Sequence, residues 1–301
     1  MRLSTNTIYA NGTNRLMGLQ SDVNDLNEKI SSGKKVRSPA DDPVASARII
    51  EINNNKSMKD TFAETRKTAS SMLENYETNL SSVTDLVLNI KSSLTAAGNA
   101  TYNDAQRQSI ATELQGRLDS LISLANAKDS MGNFIYSGFT TDKAAFTSAG
   151  VFQGETSRMN LQIDDNRTMP TTFTGDSVFN ANGNNLFANM QQAITLLNTP
   201  ITDATSRTNF TNGLATALQN TDKSLDSILD TRAQIGSQLN EIQILDDTGD
   251  DISLQYSKVL SDLQDLDYTQ ALSDLAKKNT IMEAAQKSFV STSKLSLFQF
   301  I

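Results

Sequence analysis

Apolar residues recur every third and fourth position from Ala69 to Ala97: Ala69, Leu73, Tyr76, Leu80, Val83, Val87, Ile90, Leu94 and Ala97. This spacing draws one apolar stripe along a helix, and such a stripe needs another helix to cover it. A second stripe with the same spacing lies far downstream, in Leu214, Leu218, Thr221, Leu225, Ile228, Arg232, Ile235, Leu239 and Ile242. Each stripe spans about 40 Å of helix at the usual rise per residue. Two rods of matched length, one in each half of the chain, are expected to pack side by side, with Leu73, Leu80, Val87, Leu94, Leu218, Leu225, Ile235 and Leu239 in the seam. The residues between them then form an insertion.

Other elements follow in order. Residues 1–15 are weakly patterned, and a seam starts with Leu16, Leu19, Val23, Leu26 and Ile30. Gly33 is a C-terminal cap, Asp42 an N-cap and Pro43 a first helical residue, so a helix is predicted from Pro43 to about Ala97. After a turn at Gly98–Thr101, a third helix runs from about Asp104 to Asp129, with Ile110, Leu114, Leu118, Leu121 and Leu124 inward. Residues 134–187 hold eight of the eighteen Phe and Tyr. Within them, Arg158–Ile163 alternates with period two and returns after Asp165-Asn166 as a hairpin whose Pro170 marks an edge strand. A short helix through Leu186, Met190, Ile194 and Leu197 precedes the long one, predicted from about Asp203 to Leu245. Asp246–Asp251 reads as a turn, Ile252–Leu266 as a further helix, and Ala271, Leu275, Lys278, Met282, Ala285, Phe289 and Thr292 as a last heptad with polar positions. The predicted class is mainly α: a long antiparallel coiled-coil-like bundle with a small β-rich inserted domain. The expected division is 1–42 with 268–301, 43–132 with 185–267, and 133–184.

Composition narrows the chemistry. The 301 residues include no Cys, no His and no Trp, and the net charge is −8. Without Cys or His the commonest metal ligands and general bases are gone. No basic run points to nucleic acid. No stretch is long and apolar enough to span a membrane, and the first residues carry no apolar signal core, which on composition alone suggests a cytoplasmic protein.

Candidate chemistry competes with structural roles. Asp246–Asp251 could bind calcium but lacks the alternation of a calcium loop. Asp41 and Asp42 could act as an acid–base pair, yet helix capping explains them. Asp142, Asp164 and Asp165 are the carboxylates near the aromatic region that an enzyme would use. Arg232 can pair within the bundle or reach a neighbouring subunit. The aromatic cluster can be core or pocket lining. The terminal stripes have mixed polar faces and suit partner helices better than a membrane surface. No catalytic, cofactor or metal-binding residue is assigned.

One resemblance draws these parts together. Leu26 with Ile30-Ser31-Ser32-Gly33-Lys34-Lys35-Val36-Arg37-Ser38-Pro39-Ala40-Asp41-Asp42-Pro43 resembles the N-terminal signature of bacterial flagellins and their junction relatives. Arg232–Asn240 and Asp267-Tyr268-Thr269-Gln270-Ala271 resemble the C-terminal signatures. Met1–Thr5, the short insertion and Asn133–Lys143, with its Phe134, Gly138, Thr141 and Asp142, favour the junction members. A filament-forming flagellin is the alternative. The resemblance implies a structural, non-enzymatic role in the flagellum. Subunits would self-associate in a ring, between hook-associated protein 1 on the hook side and flagellin on the filament side. It implies export through the flagellar type III apparatus, which replaces the cytoplasmic expectation with an extracellular one. It also implies assembly contacts through Leu16, Leu19, Val23, Leu26, Ile30, Leu275, Met282, Phe289, Phe298 and Phe300. An export chaperone would grip Leu275, Met282, Phe289 and Leu295. Neither nucleic acid nor membrane is an expected partner.

Overall fold

The computed structural model describes residues 5–298. Its helices are α1 (Thr5–Ser32), α2 (Pro43–Ala97), α3 (Asp104–Ala125), α4 (Gly175–Phe179), α5 (Leu186–Asn198), α6 (Ala204–Gln264) and α7 (Tyr268–Phe298), with strands β1 (Asn160–Asp164) and β2 (Arg167–Pro170). The chain forms two compact units: residues 59–249 make one, and the flanking segments up to Met58 and from Asp250 make the other.

In the central unit, α2 supplies the spine. None of the nine stripe residues from Ala69 to Ala97 is more than 2% exposed. They share one apolar core with Ala111, Leu114, Leu118 and Leu121 of α3, with Leu186, Met190 and Ile194 of α5, and with Leu214, Ile228, Ile235 and Ile242 of α6. This is a four-helix bundle in which each stripe is covered by the others. The α3 start is fixed by a capping box: Asn103 Oδ1 accepts from the Gln106 N–H, and Gln106 Oε1 from the Asn103 N–H, both at 2.9 Å.

Helix α6 buries Leu214, Thr221, Ile228, Ile235 and Ile242 of the expected row, while the buried positions between them fall one residue earlier than expected. The fully buried positions are Leu214, Ala217, Thr221, Ser224, Ile228, Thr231, Ile235 and Ile242. Leu218, Leu225 and Leu239 pack on the core from its margin. Small residues take these places. Ala217, Ser224 and Thr231 are covered where the larger Leu218, Leu225 and Leu239 are only partly so. Thr221, Ser224 and Thr231 each donate to the carbonyl four residues earlier, at 2.8–3.1 Å, so their hydroxyls are buried with a partner.

Two sequence expectations fail here. Asp246–Asp251 is no turn, and no separate helix starts at Ile252; α6 runs unbroken from Ala204 to Gln264. A calcium loop is therefore excluded at this position. The acidic string stays helical partly because Arg66, only 3% exposed, anchors it: Arg66 Nε donates to Asp246 Oδ1 at 2.5 Å and Nη1 to the Ile163 carbonyl at 3.1 Å. Gly249 gives this guanidinium space, since a Cβ there would sit 3.0 Å from Nη2. Helix α1 also begins earlier than the weak pattern of residues 1–15 suggests, at Thr5.

The insertion contains one antiparallel hairpin, with Leu161 opposite Met169 and Pro170 opposite Asn160 at its open end. The rest is loops, α4 and a 3-10 turn at Ala181–Gly183, held by aromatic packing. Tyr136 lies 5.4 Å from Tyr76 and 5.2 Å from Phe179 between ring centroids, and Phe146 lies 4.7 Å from Phe187. Tyr76 belongs to the α2 stripe, so the aromatic core and the helical seam are one body. Buried hydroxyls are satisfied: Tyr136 donates to Asn79 Oδ1 at 2.8 Å and Tyr76 to the Ile135 carbonyl. Burial pushes the Tyr76 hydroxyl up to about 12. The hairpin is tied down by ions. Lys59 Nζ meets Asp164 and Asp165, each at 2.8 Å, and Arg167 grips Glu241 in a two-pronged pair at 2.6 and 2.9 Å.

The buried and marginal positions of α6 differ measurably. Ile228→Ala, at 0% exposure, is expected to cost about 3 kcal/mol in urea unfolding of the full chain, while Leu225→Ala at the margin costs about 1 kcal/mol. Equal costs would contradict this assignment of the buried face.

Candidate functional site

The terminal segments form the other unit, and their pairing is built from sequence-distant contacts. Asp22 meets Lys278 Nζ at 2.6 Å. Tyr9 shares a hydrogen bond with Ser293 Oγ at 2.5 Å and stands edge-on to Phe289, ring centroids 5.8 Å apart. Gly33 and Lys35 bond to Leu266 and Gln264 through their backbones: the Leu266 N–H donates to the Gly33 carbonyl at 2.9 Å and the Lys35 N–H to the Gln264 carbonyl at 2.7 Å. As residue numbers rise along α1 they fall along α7, so the two helices are antiparallel.

Close approach at the Tyr9 end depends on Gly12, where a Cβ would lie 2.5 Å from the Phe289 ring. Tyr9 and Gly12 also extend the stripe of Leu16, Leu19, Val23, Leu26 and Ile30 backwards in the same three-and-four spacing. The sequence reading missed them because Gly and an isolated Tyr carry a weak periodic signal, although the spacing was present. On α7, Lys278 occupies a stripe position, and its pairing with Asp22 explains that polar place in the heptad.

The loop joining α1 to α2 is an ion and hydrogen-bond knot. Asp41 Oδ2 accepts from the Arg37 N–H at 3.1 Å and the Ser38 N–H at 3.0 Å, and Lys29 Nζ lies 3.3 Å from the other oxygen. The Arg37 and Ser38 amides hold the Asp41 carboxyl down at about 2. Arg37 reaches Asp25 at 2.9 Å and also Glu28. Asp42 Oδ1 accepts from the Val44 and Ala45 N–H groups at 3.0 and 2.9 Å, capping α2 ahead of Pro43. Asp41 and Asp42 are thus occupied in holding backbone amides, and Asp164 and Asp165 in holding Lys59. Among the described residues no group of three or more His, Cys, Asp or Glu side chains is placed to hold a metal ion.

Burial separates these stripes from the central seam. Among the expected assembly residues whose side chains are described, only Val23 is fully buried, at 5% exposure. Leu16, Leu19, Leu26, Ile30, Leu275, Met282 and Phe289 are half-buried. Ile8, Met17, Leu272, Ile281 and Val290 stand exposed beside them. The side chains of Leu295 and Phe298, and the whole of Phe300, lie outside the described residues. Arg232, left open between two roles, pairs inside the chain: its Nη2 donates to Glu77 Oε1 at 2.6 Å and its Nη1 to Thr84 Oγ1 at 3.3 Å.

The family model for the bacterial flagellin N-terminal helical region matches residues 3–141. The chain is 32% identical to flagellar hook-associated protein 3 of Escherichia coli (strain K12), over 99% of both chains. The chain belongs to the flagellar hook-associated protein 3 family. The protein of that name from Salmonella typhimurium is 31% identical with the same coverage. A crystal structure of the flagellar junction protein FlgL from Legionella pneumophila has the same fold, with a TM-score of 0.63 at 17% identity, covering 72% of this chain and 100% of that one. The names of these relatives place them in the flagellum, at its hook or junction, and no helix among the described residues is long and apolar enough to cross a membrane.

The depressed carboxyl of Asp41 gives a pH test. Because its folded pKa lies below the ordinary 3.8, its contribution to the loop is complete above about pH 4 and is lost as pH falls towards 2. The Asp41 carboxyl carbon, followed by NMR, should titrate near 2 together with the Arg37 and Ser38 amides. In Asp41→Asn those amides should no longer titrate. A midpoint near 3.8 would show that the knot is not formed in solution.

Proposed function

We propose that this chain is a structural subunit at the junction between the flagellar hook and filament, and that its terminal helices are the part that joins neighbours. The observation that carries the reading is the burial contrast between two sets of stripes with one spacing. The central stripe of α2 is fully covered within the chain. The α1 and α7 stripes remain half-uncovered although the helices pair. A two-helix pair has too few neighbours to bury apolar stripes, and further helices from other subunits would complete the burial.

In this reading subunits associate laterally in a ring through Leu16, Leu19, Val23, Leu26 and Ile30 on α1 and Leu275, Met282 and Phe289 on α7, with Phe298 and Phe300 beyond them. Hook-associated protein 1 lies on one side of the ring and flagellin on the other. Division of the chain into terminal segments (1–42 with 268–301), a helical rod (43–132 with 185–267) and an outer insertion (133–184) then corresponds to inner tube, intermediate shell and outer surface. Before assembly the same apolar positions need protection, and an export chaperone gripping Leu275, Met282, Phe289 and Leu295 would supply it during passage through the flagellar type III apparatus. Segments that gain their partners only on docking lose conformational entropy at that moment, which suits a chain that must first travel in an extended state.

The alternative, a filament-forming flagellin, differs in what the purified chain does. A filament subunit would polymerise alone into long fibres; a junction subunit would not. In cells lacking the chain, hooks should form while filament subunits are lost to the medium. Adding back Leu19→Asp should leave the melting of the purified chain within about 1 kcal/mol of the parent, since the site is half-exposed, yet fail to restore swimming. Restored swimming by this variant, or intact filaments in the deletion strain, would overturn the assignment.

A further inference from the structure

The chain carries three Asn-Gly pairs: Asn11-Gly12, Asn182-Gly183 and Asn212-Gly213. All three asparagines are exposed, so access to water does not separate them. Their backbones do. Asn11-Gly12 lies inside α1 and Asn212-Gly213 inside α6, where each glycine N–H belongs to the helical ladder. Asn182-Gly183 lies in the turn at Ala181–Gly183, outside any α-helix or strand. Asn182 has φ 55° and ψ 31°, and no other residue with a side chain has a positive φ among the described residues. Gly183 follows at φ 76°. Left-handed backbone is strained for a residue with a Cβ, and asparagine tolerates it better than most. Around Gly183 the space is open, since a Cβ there would meet nothing within 4 Å. The backbone bond that spans the pair, from the Asn184 N–H to the Ala181 carbonyl at 3.0 Å, belongs to a turn of three residues. Neither a helical ladder nor packing on Gly183 resists rotation of this peptide.

We propose that Asn182-Gly183 is a site of spontaneous covalent modification, at which the asparagine amide is converted to a carboxylate as the folded chain ages. The Gly183 backbone nitrogen gives up its proton to solvent base and attacks Asn182 Cγ. The N–Cγ bond forms, the Cγ–Nδ2 bond breaks, and Nδ2 leaves as ammonia. Water then opens the cyclic imide at either carbonyl, giving aspartate or isoaspartate; nothing is oxidised or reduced, and the net exchange is water for ammonia. Attack requires the peptide to turn its nitrogen onto Cγ. The open turn allows that rotation, whereas Gly213 must first break its helical hydrogen bond. The product changes a particular place. Asn182 lines a cleft of about 400 Å³ with Asp226 and Asp230 of α6, so each conversion adds a negative charge beside two others. Isoaspartate also lengthens the main chain just before Asn184, whose Nδ2 ties the turn to α6 through the Asn220 carbonyl at 2.9 Å and Ser224 Oγ at 2.7 Å. The proposal does not depend on the assembly role argued above.

Ageing the full chain in mildly alkaline buffer made with heavy-oxygen water, followed by proteolysis in acid and peptide mass spectrometry, tests it. Asn212 is the internal control. Aspartate and isoaspartate carrying the heavy oxygen should accumulate at Asn182 at least about tenfold faster than at Asn212, because Gly213 reacts only from a locally opened helix. The rate at Asn182 should rise with pH, since the attacking nitrogen must lose a proton. In guanidinium hydrochloride the two sites should react at comparable rates. Gly183→Ala should slow the reaction at Asn182, because a side chain there hinders the nitrogen and disfavours the positive φ. Equal rates at Asn182 and Asn212 in the folded chain would overturn the proposal. So would an Asn182 that stays intact in the folded chain while both pairs convert in the unfolded one. A difference that persists unchanged in guanidinium hydrochloride would assign it to local sequence instead of the turn, and would overturn it too.

Discussion

Everything in the central unit rests on the covering of one helical stripe. The nine residues from Ala69 to Ala97 are sealed on every side, and each Leu, Val or Ile among them contributes about 1.5–3 kcal/mol by leaving water. An isolated helix of any length could not gain this, because its stripe would face solvent. α3, α5 and α6 exist in register to complete the burial. Even the aromatic insertion depends on it, since Tyr76 of the stripe is also a wall of the cluster containing Tyr136 and Phe173. In α6 the small residues Ala217, Ser224 and Thr231 are themselves buried, and the two hydroxyl side chains bond back to their own helix, so no polar atom is left unpaired there.

The same spacing yields a different outcome at the chain ends because the residues filling it differ. In α1 the stripe passes through Gly12, and in α7 through Lys278 and Thr292. Fewer large apolar side chains and fewer neighbouring helices leave the pair half-covered. What holds it is directional: the Asp22–Lys278 ion pair, the Tyr9–Ser293 hydrogen bond and the backbone exchange between Gly33, Lys35, Gln264 and Leu266. Polar contacts of this kind set alignment and contribute little net stability. A terminal pair that is aligned but incompletely buried is suited to accept further helices.

Much of this was legible in the sequence. The α2 stripe, the Asp42–Pro43 start, the turn after Ala97 and the hairpin around Asp165-Asn166 depend on local signals, and the chain contained them. Long-range balance decided the rest. Asp246–Asp251 has the composition of a turn, but the helix on either side and the buried Arg66 keep it helical; neither influence is visible within six residues. The Lys59 clamp on Asp164 and Asp165 joins residues more than a hundred positions apart. In α6 the expected Leu214, Thr221, Ile228, Ile235 and Ile242 are buried, but Leu218, Leu225 and Leu239, which dominate the apolar pattern, are only partly covered, while the less hydrophobic Ala217, Ser224 and Thr231 take the buried places beside them.

A heptad stripe has a weakness that the polar contacts correct. Sliding α6 past α2 by seven residues would again place apolar residues opposite one another, so hydrophobic burial alone barely distinguishes the registers. Three ionic contacts between these helices agree on one register: Arg66 with Asp246, Glu77 with Arg232, and Lys91 with Asp222. The last is exposed at both ends and weak. Arg66 is different, because it is buried. After a slip of α6 it would lose Asp246, the only carboxylate it pairs with here, and keep only the neutral Ile163 carbonyl, leaving its charge uncompensated in the core at a cost of about 3–5 kcal/mol. That penalty is comparable to a whole buried leucine, and it falls on every slipped arrangement and on none of the native contacts. The register of the long helices, and with it the position of the hairpin strapped across them, is therefore set by a guanidinium that the apolar pattern alone does not reveal.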